Sequence, residues 1–506
     1  MEGARLRRWL GAASSPRRWL PRLRFDVGAL IEIDLRSLAL FRIGVAVTLL
    51  IDLASRVRDL DALYGARGVL PPELARVLWD LRVTVSPFTW VAAWPSLLWT
   101  GVALLAIAAL CLALGVTPRL AAAVAWGLLA ALQDRNMGLV MGGDRFLLLL
   151  LMSCILLPTG ARLSLRPAPL GATRIRSWAG AGLLLQVMLV YVVTGLKKTG
   201  SDWFDGTALW YALSDYEYVT AAGHWLRSQP VLIVPLSFAV KWVEIFGPLL
   251  VLSPWRNGTA RLTAIGLFWT LHLGLQACQA IGVFQLVGLA AWLAFLPSAI
   301  WDRRATREPA GREAPIHAEQ GVQPARWSER LALVPIAYLI IVLGYVFTGV
   351  LVHGTPYPTP APIERIARPL HLQQGWAMFS SVPHEQVWIL APGWLADGSE
   401  IEVLRRAPVD WSRPWDLQSA QRGFRWTLYL GNVIKKGVND PTLQMTHPVL
   451  LEYLCREWNA RNEREHRLER VTLVAVTEVI PGLGITSAAP GGRYLIATLT
   501  CPPTWW

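Results

Sequence analysis

Two adjacent lysines, Lys197 and Lys198, follow a long apolar run of the sequence. On a helix, Tyr191, Gly195 and Lys198 would be spaced i, i+4 and i+7 and share one face, whereas Lys197 would point roughly 100° away. Two interpretations are open. The amines extend to the end of the helix, where an aspartate in the segment that follows neutralises them. Alternatively, burial and the neighbouring like charge keep Lys198 neutral, so that it acts as a general base.

Lysine is scarce in this chain, which has 5 Lys and 43 Arg. Arginine stays protonated at any accessible pH, so it does not replace lysine where a neutral amine is needed. A lysine within an apolar segment of such a chain is therefore a candidate for chemistry.

Two other groups of polar residues interrupt apolar segments. Lys241 and Glu244 are spaced i and i+3, which predicts that they neutralise each other, with a proton relay as the alternative. His272, Gln276 and Gln279 are spaced i, i+4 and i+7 and predict one polar stripe on a helix. Such a stripe either forms hydrogen bonds with a neighbouring helix or forms one wall of a substrate cavity.

A fourth polar group is Gly142-Gly143-Asp144-Arg145, which precedes an apolar run. We expect Asp144 to cap that helix and Arg145 to be its counter-ion. The motifs of zinc proteases, P-loop nucleotide-binding proteins and serine hydrolases are absent, and no His/Cys set has the spacing of a zinc site. We therefore expect no metal site.

The elements that must position these residues are membrane helices. Of the 506 residues, 54% are hydrophobic and only 16% are charged, and the mean hydropathy is +0.38; soluble domains carry about 25% charged residues. Several apolar runs approach the ~20 residues that span a bilayer. The net charge of +13 comes mostly from Arg beside these runs, which indicates an inside-positive membrane topology rather than binding to nucleic acid.

The sequence predicts a polytopic α-helical membrane protein with eight or nine transmembrane helices and a small β-rich extracytoplasmic C-terminal domain. A basic cytoplasmic arm (1–30) precedes a transmembrane domain (31–300), a cytoplasmic loop (301–330) and a last transmembrane helix (331–353). The Arg-rich loops place the N-terminus in the cytoplasm. Residues 354–506, a linker and the β-rich domain, are then extracytoplasmic, and we expect the protein in the inner membrane.

Beyond the linker the hydrophobic pattern changes to alternation, which is typical of strands. The predicted strands are Gln386–Pro392, Glu400–Arg405, Phe424–Gly431, Arg470–Val479 and Arg493–Thr500, and an amphipathic helix is predicted over His447–Asn462. Cys455 and Cys501 both lie in this region. They can form a disulfide if the domain is extracytoplasmic.

Four stretches are similar to the HTTM family, the transmembrane module of vitamin K-dependent gamma-carboxylases and their bacterial relatives. They are Asp34–Gly44, Leu63–Pro71, the segment Val190–Gly206 with its Gly-Leu-Lys-Lys and Asp-Trp-Phe-Asp-Gly, and His272–Gly282. The resemblance covers roughly residues 30–300.

The resemblance implies a lyase that uses a reduced naphthoquinone of the vitamin K or menaquinone type, O2 and CO2 to carboxylate glutamate in an exported polypeptide. By motif match Lys198 would deprotonate the hydroquinone, with Lys197 beside it and His272 lining the site. Tyr191, Gln276 and Gln279 would contact the quinone. This chain has Gly143-Asp144 where the carboxylases carry Asn-His, and its C-terminal region is smaller than their propeptide-binding region.

Three functions are therefore open. The first is the quinone-dependent enzyme. The second is a non-catalytic membrane factor for maturation or export of a secreted peptide. The third is a transporter coupled through Lys241 and Glu244, against which the absence of an internal repeat counts. The lipid bilayer and an exported polypeptide are the expected partners.

Overall fold

The computed structural model describes residues 27–79, 86–167, 173–215, 217–305, 325–355, 357–485 and 491–502. Most of the predicted N-terminal arm and of the predicted loop 301–330 lies outside the described residues.

Within this part of the chain, nine helices of ten or more residues precede residue 354. They are α1 (Leu35–Val57), α2 (Pro95–Leu114), α3 (Pro118–Arg135), α4 (Gly142–Leu156), α5 (Trp178–Leu196), α6 (Pro230–Phe246, continued by a 3-10 segment to Leu252), α7 (Asn257–Cys278), α8 (Phe284–Leu293) and α9 (Arg326–His353). Shorter helices connect them, including Leu60–Tyr64, Pro72–Trp79, Pro87–Val91, Ser201–Asp205, Ala208–Ala212 and Ala221–Arg227.

Five of these helices are long and apolar enough to cross a membrane: α1, α2, α5, α6 with its extension, and α9. The other four are shorter or more polar. The prediction of a helical membrane protein with several spans is thus confirmed, whereas a count of eight or nine spans stays a prediction.

Helix α5 lies at the centre of the bundle. It packs against α4, α6 and α9, and 78% of the residues in its most apolar stretch are buried. On one side, α1 packs against α2 and α8, and α7 packs against α8. A two-stranded ribbon, β1 (Glu32–Asp34) with β2 (Arg174–Arg176), joins the start of α1 to the chain before α5. Side chains at the end of α5 are therefore enclosed by other helices rather than by lipid.

The C-terminal region contains a five-stranded antiparallel sheet. Its strands are β3 (Glu385–Leu390), β4 (Pro392–Leu395), β5 (Glu400–Glu402), β6 (Leu468–Val479) and β7 (Arg493–Thr500), in the order β3-β6-β4-β5, with β7 also paired to β6. Val387 is opposite Thr477, and Val471 is opposite Leu499. The long strand β6 thus organises the sheet, because three other strands pair with it.

Helix α10 (Thr446–Asn459) packs on β6 and β7 and matches the predicted helix. A disulfide joins Cys455 on this helix to Cys501, which follows β7, with the Cα atoms 5.7 Å apart. The disulfide predicted for an extracytoplasmic domain is therefore formed in the structure.

Four of the five predicted strands are confirmed, with shifted ends, but the prediction of a strand over Phe424–Gly431 is wrong. This segment is a helix over Phe424–Tyr429 that continues as a π-helix over Leu430–Lys435. Residues 425–430 are all buried because the segment lies between the sheet and the helix bundle. The alternation predicts a strand with Arg425 and Thr427 on a solvent-facing side. Both side chains are buried instead, Arg425 in ion pairs with Asp52 and Asp144, so the alternation does not mark a half-exposed strand.

Candidate active site around Lys198

Lys198 lies two residues beyond the end of α5, and its side chain is 1% exposed. The Nζ atom donates to Glu244 Oε2 at 2.5 Å and to the Met378 carbonyl at 3.3 Å. It also lies 5.0 Å from the centre of the Trp203 ring. The amine is therefore enclosed by α5, α6 and a loop of the C-terminal region.

The close approach of α5 and α6 brings Glu244 to Lys198. At Gly195 an added Cβ would lie 2.7 Å from Ile245 Cγ1 and 3.1 Å from Glu244 Cβ. A larger residue at Gly195 would push the two helices apart. The predicted pairing of Glu244 with Lys241 is wrong, because Glu244 forms its ion pair across the helix interface instead of along its own helix.

The aspartates after α5 do not neutralise the lysines, contrary to that alternative. Asp202 lies 3.1 Å from His384 Nε2, and Asp205 accepts from the Thr207 hydroxyl at 2.6 Å. Glu244 is thus the carboxylate that acts on Lys198.

Two opposing effects set the proton affinity of the Lys198 amine. Burial lowers the pKa of Lys198, because the charged form loses its hydration. The neighbouring Glu244 carboxylate acts in the opposite direction, because it stabilises the ammonium form. Burial is the larger effect, so the pKa of Lys198 lies below that of an ordinary lysine. Lys197 is only half-buried.

His272 lies in a second buried group, on the inner face of α7. The Tyr191 hydroxyl lies 2.7 Å from His272 Nε2 and accepts from Trp292 Nε1 at 3.0 Å. The Tyr191 hydroxyl is thus hydrogen-bonded to both the imidazole and the indole. The ring packs directly on Gly288, where an added Cβ would lie 2.2 Å from it.

The predicted polar stripe on α7 does not form as one face. Gln276 is exposed on the helix surface, whereas Gln279 is buried beyond the end of the helix and donates to the Ala212 carbonyl at 3.0 Å. Of the three residues, only His272 and Gln279 face the protein interior. Gln279 lies beyond the last residue of α7, Cys278, whereas Gln276 is still within the helix but on its exposed side.

A cavity of about 150 Å³ lies near both groups, and neither Lys198 nor His272 lines it directly. One wall carries Met378, whose carbonyl accepts from Lys198, and another carries Phe284, whose ring centre lies 5.5 Å from that of His272. Its lining is mainly aromatic, thioether and glycine: Met141, Gly142, Gly143, Tyr218, Ile281, Phe284, Met378 and Phe379. The sequence did not indicate that Met378 or Phe284 lines a cavity. Met378 lies in a loop of the C-terminal region, and this loop reaches the bundle only in the folded chain.

A larger apolar cavity of about 390 Å³ lies between α6 and α7. Leu236, Val240 and Val243 line it from α6, and Leu267 and Leu271 line it from α7. Gln279 contributes a polar edge. This cavity offers a mainly aliphatic surface within the helix bundle.

Asp144 belongs to a buried ion-pair cluster and does not pair with Arg145. Its carboxylate contacts Arg56 at 2.5 Å and Arg425 at 3.1 Å, and it accepts from the Met141 amide at 2.7 Å. Arg145 instead lies beside an imidazole. The predicted counter-ion is therefore wrong. The helix begins before Asp144 rather than after it, and Asp144 caps it as the third helical residue by accepting from the amide of the N-cap residue, Met141.

Asp52 completes this cluster. It pairs with Arg56 at 2.7 Å and also with Arg425. Two carboxylates and two guanidinium groups balance each other at the boundary between the bundle and the C-terminal region. With both cations bound to it, Asp144 has no proton to donate to a substrate.

A bundle of apolar helices around a buried lysine, a carboxylate and a cavity defines an integral membrane protein with a candidate active site inside the bundle. The model of the HTTM domain matches residues 31–301, more than half of the chain, so the chain belongs to the HTTM family. No curated protein and no solved structure matches the chain.

Proposed function

We propose that this protein is a membrane enzyme that uses a reduced naphthoquinone, O2 and CO2 to modify glutamate in an exported polypeptide. Membership of the HTTM family supports the general class. The observation that carries the proposal is the enclosed Lys198 amine, held between Glu244 and the wall of a cavity.

Lys198 acts as the base in this proposal. A neutral amine takes the proton of a phenolic hydroxyl placed in the cavity, and the resulting ammonium ion is stabilised by Glu244 at 2.5 Å. Burial favours the neutral amine before the reaction. The carboxylate thus stabilises the protonated amine after the transfer, while burial keeps the amine neutral before it.

The cavity residues fit a planar apolar ring. Phe284, Phe379 and Tyr218 supply aromatic surfaces, and Met378 supplies a thioether. When bound there, a reduced naphthoquinone supplies the reducing equivalents and, with oxygen, a base strong enough to remove a γ-proton of glutamate. His272 packs against Phe284 and is hydrogen-bonded to Tyr191, so these two residues support the Phe284 wall of the cavity from behind.

The proposed location is the inner membrane, with the N-terminus in the cytoplasm and the C-terminal domain outside. Nine spans fit this orientation, namely the five long apolar helices and the shorter or more polar helices α3, α4, α7 and α8, because an odd number of spans places the two ends of the chain on opposite sides. The Cys455–Cys501 disulfide supports an extracytoplasmic domain, because disulfides persist in oxidising compartments. An exported substrate would meet Lys198 from that side.

The decisive experiment uses the full chain in lipid nanodiscs. The protein receives a reduced naphthoquinone, oxygen, labelled bicarbonate and a short glutamate-containing peptide. Quinone epoxide and label fixed into the peptide are measured for the native protein, for Lys198→Arg and for the control Lys436→Arg. Lys436 is exposed on the C-terminal domain and pairs with Asn432.

We expect epoxide and fixed label with the native protein and with Lys436→Arg, and neither product with Lys198→Arg, because a guanidinium does not lose its proton. Epoxide without fixed label would identify an oxygenase and refute carboxylation. If folded native protein that binds quinone gives neither product, the enzyme proposal fails and the non-catalytic maturation or export factor takes its place.

A further inference from the structure

Lys241 remains without a carboxylate partner in the described part of the chain. It lies on α6, three residues before Glu244, and is 7% exposed. The carboxylate of Glu244 contacts Lys198. With Lys198 neutral, as the proposed base requires, Glu244 and Lys241 balance each other in charge. Once Lys198 has taken a proton, the three side chains carry one positive charge in excess.

Aromatic rings cover the Lys241 ammonium. Its Nζ lies 3.9 Å from the centre of the Phe204 ring and 5.8 Å from that of Trp242. A cation over an aromatic face gains part of the stabilisation lost with its hydration. Phe204 is 66% exposed and lies in the short helix Ser201–Asp205 beyond the end of α5, so a ligand can approach the ammonium from that end of the bundle.

An ammonium group in this position lacks the counter-ion that buried charges usually have. An anion at Lys241 would neutralise the excess charge beside the Lys198–Glu244 pair. A single carboxylate matches that excess, and glutamate in an extended peptide presents one on a flexible stem.

We propose that Lys241 binds the side-chain carboxylate of the polypeptide substrate. This inference rests on the proposed function for the identity of the peptide. It adds a binding residue that neither the lysine pair motif nor the family match assigns. The carboxylate approaches past Phe204 and forms an ion pair with Lys241, which lies three residues before the Glu244 that contacts Lys198.

The test is a binding measurement that needs no turnover. A fluorescent glutamate-containing peptide is titrated with the full chain in phosphatidylcholine nanodiscs, and anisotropy is read. The same peptide with glutamine replacing glutamate is titrated alongside. The variants are Lys241→Gln and Lys241→Arg, with Lys436→Gln as a matched control on the exposed surface.

We expect Lys241→Gln to bind the glutamate peptide about ten- to a hundredfold more weakly, and Lys241→Arg to retain most of the affinity. The glutamine peptide should bind native protein as weakly as the glutamate peptide binds Lys241→Gln. Removing a charge from an apolar helix does not hinder insertion, so weak binding is not explained by misfolding, and Lys241→Arg verifies this.

Equal binding of the two peptides, or full affinity in Lys241→Gln, would overturn the proposal. If Lys241→Gln instead loses only phosphatidylglycerol, measured by native mass spectrometry of nanodiscs that contain it, the anion is a lipid headgroup and the proposal is refuted. The binding measurement contains no quinone, so its result can be interpreted even if the proposed enzyme reaction fails.

Discussion

At the scale of single residues, the contact between Lys198 and Glu244 decides what the site can do. The amine is enclosed, which favours its neutral form, and the carboxylate favours its charged form. Such opposing effects allow a base to take a proton and to hold it during a reaction. The balance between them is what a substitution at Glu244 would change.

We predict that Glu244→Gln lowers the pKa of Lys198, because it removes an opposite charge at 2.5 Å. The rate of quinone epoxidation rises with pH as a base loses its proton, so the ascending limb of the pH profile should move to lower pH. The maximal rate should fall, since the ammonium product loses its counter-ion.

The measurement is the pH profile of epoxidation in nanodiscs, with Glu457→Gln as the control. Glu457 is a carboxylate of α10 that pairs with surface arginines far from the site. Its removal should leave the profile unchanged. An unshifted profile in Glu244→Gln would show that Glu244 does not act on the base.

At the scale of elements, the short helix Phe424–Tyr429 joins the C-terminal region to the bundle. It carries Arg425 to Asp52 on α1 and to Asp144 at the start of α4. The same start of α4 supplies Gly142 and Gly143 to the cavity wall. The position of α4 beside the cavity thus depends on a residue from outside the bundle.

We predict that Arg425→Met destabilises the protein by about 3–5 kcal/mol, because it leaves buried carboxylates with too little positive charge. Arg461→Met is the matched control, since Arg461 is 57% exposed and pairs with Glu457 at 3.2 Å. That pair should contribute less than about 1 kcal/mol. Thermal unfolding in detergent measures the stability of both variants. Equal unfolding midpoints for the two variants would contradict the role of Arg425 in balancing the buried carboxylates.

At the scale of the whole molecule, the C-terminal region closes the site that the bundle begins. Met378 accepts from Lys198, and Trp203 donates to the Phe379 carbonyl at 2.9 Å. The sheet that follows is held by the Cys455–Cys501 disulfide. The region and the bundle therefore form one site together. In the proposed function, the side of the membrane on which the C-terminal region lies decides from which compartment a polypeptide substrate reaches the site.

We predict that an alkaline phosphatase fused after residue 506 is active, because it requires export, whereas one fused after residue 305 is inactive. The opposite pattern of activity in the two fusions would reverse the proposed orientation.

A thiol-specific gel shift should show Cys455 and Cys501 protected until a reductant is added. Cys455→Ser should cost the domain about 2–5 kcal/mol of stability, read by thermal unfolding.

The sequence by itself determined the membrane class, the last long helix and most of the C-terminal strands, and it singled out Lys198 as a candidate. Each depends on local composition or period, which a chain carries whatever its fold. The partner of Lys198 was decided only by the tertiary structure, since Glu244 lies 46 residues away on another helix. The same holds for Arg425 and Asp144, 281 residues apart. Spacing along a helix favoured Lys241 and Arg145 as partners, but packing between helices placed other charges closer.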